Sequence, residues 1–127
     1  MPFSKNTILL VEDDEFLAEL YATKLHLEGF DVVIAGDGKK GLRLAKEKMP
    51  ILILLDIVLP KMDGFDVLKQ LKSDKNLRDI PVILLTNLSQ KEEVQKGLKF
   101  GAQDYLIKAH FMPSEVVQKV KKIIKYQ

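Results

Sequence analysis

The sequence predicts an α/β protein built on a doubly wound sheet of five parallel strands. Short apolar runs, typical of strands, alternate along the chain with stretches of helical spacing. The three central runs are apolar on both faces, as expected for parallel strands that helices cover on both sides. Right-handed crossovers between such strands give a three-layer (βα)₅ sandwich.

Five runs are typical of strands, and each is followed by one apolar helical face. The strand runs are Ile8–Val11, Val32–Ala35, Ile51–Leu55, Val82–Leu85 and the less regular Tyr105–Ile107. The helical faces are Leu17, Leu20, Tyr21 and Leu25; Leu42, Ala45 and Met49; Phe65, Leu68 and Leu71; Val94 and Leu98; and Val116, Val117, Val120, Ile123 and Ile124.

Capping and turn residues agree with this division. They are Asp37 and Ser89 as N-caps, Gly29 and Gly101 as C-caps, Pro50 and Pro81 before strands, and Pro113 in the first turn of the last helix. Gly41 and Gly97 fall inside helices, where each costs roughly 1 kcal/mol relative to alanine.

The composition narrows the classes of function. The 127 residues, 46% apolar and 30% charged, are typical of one globular domain, so we expect residues 1–127 to form a single unit. The absence of cysteine excludes disulfides, thiolate zinc sites and cysteine nucleophiles. A net charge of +2 is too small to indicate nucleic acid binding, and none is expected.

Nothing in the sequence indicates a membrane. The longest apolar run, Ile51 to Leu55, is far below the roughly 18 residues of a spanning helix. The first residues, MPFSKNT, lack the apolar stretch of a secretory signal. We therefore expect a cytoplasmic protein without membrane contact.

Polar residues follow four of the five strands. They are Glu12, Asp13 and Asp14 after the first, Asp56 after the third, Thr86 and Asn87 after the fourth, and Lys108 after the fifth. Because ligands of doubly wound folds bind at the carboxyl ends of the strands, this rim is the candidate site.

The residue types on this rim suggest phosphoryl chemistry. Crowded carboxylates raise one another's pKa unless a cation lies between them, and Mg²⁺ prefers such oxygen ligands. A phosphoryl group on a carboxylate needs a divalent cation, a hydrogen-bond donor and a positive side chain, and the rim offers all three. Purely structural roles remain open, since acidic residues, Asp14 above all, can cap a helix, and Thr86 and Lys108 can be ordinary strand-end residues.

The chain resembles the receiver domains of response regulators in two-component signal transduction, in particular single-domain, chemotaxis-regulator-like members. The segments that carry the resemblance are ILLVEDDE, LLDIVLPKMDGFDVLKQLK, IPVILLTN and GAQDYLIK. The resemblance implies a flavodoxin-like sheet of order 2-1-3-4-5 and a receiver domain over residues 1–127.

The resemblance also implies the metal and acceptor residues. Asp56 would be the phosphoacceptor, which attacks a kinase phosphohistidine. Mg²⁺ would be held by Asp13, Asp56 and the carbonyl of Val58, with Glu12 acting through water. Such a domain catalyses its own phosphorylation and dephosphorylation, with no separate substrate turnover expected.

The remaining implied roles concern signalling. Thr86 would donate a hydrogen bond to the phosphoryl group, Lys108 would pair with its charge, and Tyr105 would be the switch aromatic. The expected partners are a histidine kinase or histidine phosphotransfer protein and a downstream effector or output domain. On phosphorylation, the surface formed by helix 4, strand 5 and helix 5 would change. The resemblance is also compatible with a homodimer formed through this surface.

One departure from the family pattern, one expectation about lifetime and three alternatives accompany this interpretation. Ala109 replaces the usual proline after the lysine, and we expect a trans peptide there. Val58 and Leu88 are apolar and cannot orient an attacking water, so we expect slow hydrolysis. The alternatives are a degenerate receiver that is not phosphorylated, a nucleotide-binding enzyme using the G-x-G-x-x-G segment 36–41, and an aspartyl phosphatase, which would want an acid at position 58.

Overall fold

The computed structural model describes residues 6–86, 91–108 and 113–125. Strands and helices alternate strictly along these residues. The elements are β1 Thr7–Val11, α1 Glu15–Leu27, β2 Asp31–Ala35, α2 Gly38–Lys48, β3 Leu52–Asp56, α3 Gly64–Ser73, β4 Val82–Thr86, α4 Lys91–Lys99, β5 Asp104–Ile107 and α5 Pro113–Lys125. In this part of the chain, no helix is both long and apolar enough to cross a bilayer.

The strands form one parallel sheet of order β2-β1-β3-β4-β5, which confirms the expected fold class. The register pairs Val11 with Leu55 and Asp56 with Leu85. The carboxyl ends of β1, β3 and β4 are therefore level with one another, and the polar residues that follow them share one edge of the sheet.

Alternate residues of each strand face opposite sides of the sheet, and both sides are buried. One side packs against α2, α3 and α4, and the other against α1 and α5. The first side receives Leu9 and Val11 of β1, Ile53 and Leu55 of β3, and Val82 and Leu84 of β4. The second receives Ile8 and Leu10, Leu52 and Leu54, Ile83 and Leu85, and Leu106 of β5.

The predicted helical faces of α2, α3 and α5 are buried apart from the half-buried Met49 and Ile124, but two leucines of α1 and α4 lie elsewhere. Leu20 of α1 and Leu98 of α4 are 38% and 39% exposed, so the expectation that they belong to the apolar faces is wrong. Small residues take the inner positions, namely Ala18 and Ala22 in α1 and Gly97 in α4. They let each helix approach the sheet more closely than a leucine would.

The glycines inside helices have a packing reason. A Cβ on Gly97 would lie 2.2 Å from Cδ1 of Leu84, and one on Gly41 would lie 3.0 Å from Cγ2 of Val11. Both helices therefore lie so close to the sheet that a methyl group would force a neighbouring side chain to shift, which gives a packing reason for their lower helix propensity.

The predicted caps are present where the structure describes them. Asp37 accepts a hydrogen bond from the Lys40 amide at 2.8 Å and so caps α2. Gly29 and Gly101 follow α1 and α4 with φ of 94° and 111°, the left-handed region that C-cap glycines supply. The cap expected at Ser89 and the peptide at Ala109 lie outside the described residues.

Candidate functional site

Three charged side chains lie together at the carboxyl ends of the strands, and the pairing of the strands determines their positions. Glu12 follows β1, Asp56 ends β3, and the pairing of the two strands places them side by side. The Lys108 amide donates to the Thr86 carbonyl at 2.7 Å, which extends the β4–β5 pairing by one residue. The lysine thereby reaches the site from β5, the outermost strand on that side of the sheet.

Lys108 joins the two carboxylates. Its Nζ lies 2.7 Å from Oδ2 of Asp56 and 2.7 Å from Oε1 of Glu12. Glu12 and Asp56 are only 2% and 4% exposed, so their charges are shielded from water. Because one ammonium serves two buried carboxylates, removing the charge of Lys108 would leave both carboxylates uncompensated, so the three side chains form one electrostatic unit.

The second oxygen of each carboxylate is held by the backbone. Oε2 of Glu12 accepts from the Asp14 amide at 3.1 Å, and Oδ1 of Asp56 accepts from the Val58 amide at 3.1 Å. These contacts fix the direction of both carboxylates. Asp14 itself turns away and caps α1 by accepting from the Leu17 amide, the structural role that the sequence allowed.

Burial governs the protonation of the cluster. It raises the pKa of Glu12 from 4.5 to about 7, with the nearby charge of Asp56 adding to the shift and the hydrogen bond from Lys108 opposing it. Burial alone would lower the pKa of Lys108, but its hydrogen bonds to Asp56 and Glu12 outweigh burial and raise that pKa. The lysine therefore stays charged, and the cluster gains from a further cation.

The acidic residues fit a hard divalent ion. Glu12, Asp13 and Asp56 each present a carboxylate oxygen, and these oxygens lie within 4.8 Å of one another. They line an open cleft of about 500 Å³ together with Asp14, Leu17, Val58 and Lys108. An all-oxygen set with room for water is the environment that Mg²⁺ prefers.

The loop after β3 depends on Gly64, a residue to which sequence reasoning gave no role. A Cβ there would lie 2.4 Å from the Asp56 carbonyl oxygen and 2.6 Å from Cα of Ile57. The Gly64 amide donates to the Ile57 carbonyl at 2.7 Å. Asp63 caps α3 through the Asp66 amide. The Asp-Gly pair after an apolar run was the available signal.

Two predicted site residues lie apart from the cleft. Thr86 is 1% exposed and continues the row of Val82 and Leu84, which faces α4, whereas Asp56 continues the row that faces α1 and α5. Tyr105 is 37% exposed, and its neighbour Leu106 faces α5. Neither Thr86 nor Tyr105 lines the cleft. The structure thus brings Glu12, Asp13, Asp56, Val58 and Lys108 together and places Thr86 and Tyr105 on the other face.

The space beside the glycine-rich segment 36–41 is filled by other parts of the protein. A Cβ on Gly38 would lie 2.7 Å from both the Met62 carbonyl oxygen and Cγ2 of Val67. The Asp37 carboxylate already takes the Lys40 amide at the start of α2, where a dinucleotide phosphate would bind. These contacts favour a packing role for the glycines over a nucleotide cradle.

Comparison with known proteins gives consistent similarities. The model of the family described as "Response regulator receiver domain" matches residues 8–121. The DNA-binding dual master transcriptional regulator RpaA of Synechocystis is 41% identical over 118 residues, which are 93% of this chain and 48% of that protein. The DNA-binding response regulator MtrA of Mycobacterium tuberculosis is 40% identical over 121 residues, 95% of this chain and 51% of that protein. The chain thus spans about half the length of these curated relatives.

Solved structures are similar over nearly the whole chain. A Francisella response regulator receiver domain has a TM-score of 0.85 and 34% identity, covering 96% of this chain and 98% of that one. The receiver domain of the Pseudomonas aeruginosa sensor histidine kinase PA1611 has a TM-score of 0.85 and 29% identity, with coverages of 96% and 99%. That structure has a magnesium ion coordinated in its active site cleft.

Proposed function

Because the chain belongs to the response regulator receiver domain family, we propose that it is a phosphoacceptor switch in which Asp56 accepts a phosphoryl group from a phosphohistidine. The observation that carries the proposal is the position of Asp56, a buried carboxylate 2.7 Å from a lysine ammonium and beside two further carboxylates. The donor would be a histidine kinase or a histidine phosphotransfer protein.

The proposed reaction is an in-line transfer. A carboxylate oxygen of Asp56 attacks phosphorus, the phosphorus–nitrogen bond of the phosphohistidine breaks, and the imidazole leaves with the electron pair and takes up a proton. The product on Asp56 is an acyl phosphate. Lys108 and the Val58 amide hold the carboxylate in the orientation that this attack needs.

Glu12, Asp13, Asp56 and the carbonyl of Val58 would hold Mg²⁺. When bound, the ion supplies positive charge to the phosphoryl oxygens, which otherwise repel the acidic cluster. The fit of the donor set supports this assignment, since the carboxylate oxygens lie within 4.8 Å of one another. Asp13 is exposed and offers its oxygens from the open side of the cleft.

The response would follow from a change of charge at Asp56. We propose that Lys108 exchanges a carboxylate contact for a phosphoryl oxygen, and that Thr86 moves to donate a hydrogen bond to the same group. Tyr105 would then turn inward and alter the surface of α4, β5 and α5. The burial of Thr86 at the end of β4, next to the strand that carries Asp56, supports its part in this sequence.

The wider setting belongs to the same proposal. The chain would act in the cytoplasm as a receiver domain over residues 1–127, and its altered surface would control an effector, an output domain or a second copy. The relatives RpaA and MtrA are DNA-binding proteins that match this chain over about half their length. We propose that their DNA binding resides in the parts that this chain does not match.

Phosphorylation of the purified chain tests the proposal. With Mg²⁺ and acetyl phosphate, intact mass spectrometry should detect one added phosphoryl group, and Asp56→Asn should remove it. Asp79→Asn, at an exposed site outside the cluster, is the matched control and should be modified like the parent chain. Binding of NADH or FMN without any such modification would instead favour a nucleotide-binding enzyme.

A further inference from the structure

Helix α2 concentrates positive charge. It carries five of the 20 basic residues of the chain and one of the 18 acidic residues. Since the net charge of the whole chain is only +2, the rest of the molecule is slightly acidic. The basic residues of α2 are Lys39, Lys40, Arg43, Lys46 and Lys48, and all are exposed.

Most of this charge has no partner within the described part of the chain. Arg43 lies 3.9 Å from Glu47, and both side chains are more than half exposed. No ion pair joins the four lysines of α2 to a carboxylate there. The basic helix α5 differs, since Lys119 lies 3.1 Å from Asp104. Two of the lysines of α5, Lys119 and Lys121, are thus paired with carboxylates, whereas no lysine of α2 is paired with a carboxylate of the described residues.

A groove of about 320 Å³ runs between α2 and α3 beside this charge. Its floor is apolar and contains Leu42 and Leu77, and its two walls carry Lys46 from α2 and Lys69 from α3. The ammonium of Lys69 also lies 4.8 Å from the centre of the ring of Phe100, a cation–π contact with a residue outside the groove. We call this feature the basic groove.

We infer that the basic groove docks an acidic peptide segment of a partner protein. An apolar side chain of the segment would lie on Leu42 and Leu77, and its carboxylates would pair with Lys46 and Lys69. A nucleic acid would use the lysines but leave the apolar floor empty, so the combination favours a peptide. Asp74 at one end of the groove would repel acidic residues and thereby set the position of the segment.

The basic groove is separate from the acidic cluster. Both α2 and α3 begin near the loop that follows β3, since Gly38 contacts Met62 and Gly64 contacts Asp56. The groove lies along the later turns of both helices, toward the other end of the sheet. Docking there requires neither Mg²⁺ nor a phosphoryl group, so its test does not depend on the proposed phosphorylation.

A titration of the isotope-labelled full chain followed by NMR tests the inference. The probe is a short peptide in which glutamates flank a pair of leucines. We expect amide shifts at Lys46, Ser73 and Leu77 and unchanged amides at Asp13 and Asp56, with or without beryllofluoride. Shifts centred on α5 or on the acidic cluster would overturn the assignment of the groove.

Peptide and protein variants separate charge from apolar contact. Replacing the leucines of the probe by serine should weaken binding, as should Lys46→Glu, which is expected to cost about fivefold in affinity. Lys122→Glu on α5 makes the same change of charge and should leave binding within twofold or so of the parent chain. If the serine peptide or a single-stranded oligonucleotide binds as tightly as the leucine peptide, the groove is a general polyanion surface and the inference is wrong.

Discussion

Gly64 lies so close to Asp56 that a Cβ at position 64 would be 2.4 Å from the Asp56 carbonyl oxygen. The approach is between two backbone segments, and neither can move without shifting the end of β3. The geometry of the acceptor carboxylate therefore depends on a residue that makes no contact with the cleft.

Substitution of Gly64 is expected to harm both stability and phosphorylation. Gly64→Ala forces the β3–α3 loop away from Asp56 and should lower the free energy of unfolding by about 2 kcal/mol. Gly36→Ala is the matched control, because a Cβ there meets nothing within 4 Å. Urea unfolding and the rate of modification by acetyl phosphate measure the two effects. Equal behaviour of the two variants would contradict the role given to Gly64.

Mg²⁺ affinity should increase with pH because the ion requires the ionised form of Glu12, whose pKa is about 7 in the metal-free protein. Raising the pH from about 6 to about 8 should strengthen binding about tenfold, as one proton is released. Calorimetric titrations at the two pH values measure this change, and Glu12→Gln should abolish most of it. A parent chain with the same affinity at both values would refute the prediction.

The same raised pKa affects stability in the absence of metal. The folded chain keeps the Glu12 proton between pH 4.5 and about 7, whereas the unfolded chain has lost it. The contribution of this group is therefore fully present below pH 4.5 and is lost as the pH rises through about 7. Unfolding with and without Glu12→Gln over this range measures it, and a variant with an unchanged pH profile would exclude Glu12 as the cause.

Lys108→Ala should separate metal binding from the response. The variant loses a cation that lies 2.7 Å from both Glu12 and Asp56, so it should bind Mg²⁺ at least as tightly as the parent chain. It should nevertheless show weaker amide shifts at Val94 and Tyr105 when beryllofluoride is added. Lys91→Ala, at an exposed position of α4, serves as control. A large loss of Mg²⁺ affinity would contradict the assignment of Lys108 to the phosphoryl group and would show that it supports metal binding instead.

The phosphorylated state should last minutes or longer without a phosphatase. Val58 is 55% exposed at the cleft and is apolar, so it cannot orient an attacking water. Val58→Asn should shorten the lifetime, whereas Val58→Ala should leave it nearly unchanged. Loss of the phosphoryl group after removal of acetyl phosphate gives the rates. Decay of the parent chain within seconds would disprove the prediction.

The sequence was informative where one residue type had one structural consequence. Apolar runs such as that ending at Leu55 predicted strands buried on both faces, and Asp56 was conspicuous because a charge there is costly. Asp37 and Gly29 predicted helix ends through conformations that those residues favour.

Relationships between distant segments were harder to predict. The contact of Lys108 with Glu12 depends on the end of β5 reaching past β4 and β3, which no local pattern records. The close approach of Gly64 to Asp56 depends on the path of a loop. The side of the sheet that Thr86 faces could have been predicted from the sequence, because counting alternate residues from Val82 places it on the side of α4.

Because side chains alternate along each strand, the residues of the site are distributed over both sides of the sheet. Glu12 and Asp56 continue strand rows that face α1 and α5, whereas Thr86 continues a row that faces α4. A phosphoryl donor that approaches from the side of α1 would meet Asp56 directly. A partner protein on the side of α4 would respond only to conformational changes transmitted through the sheet. The proposed response surface therefore draws on both sides of the sheet, since α4 packs on the side of Thr86 and α5 on the side of Asp56.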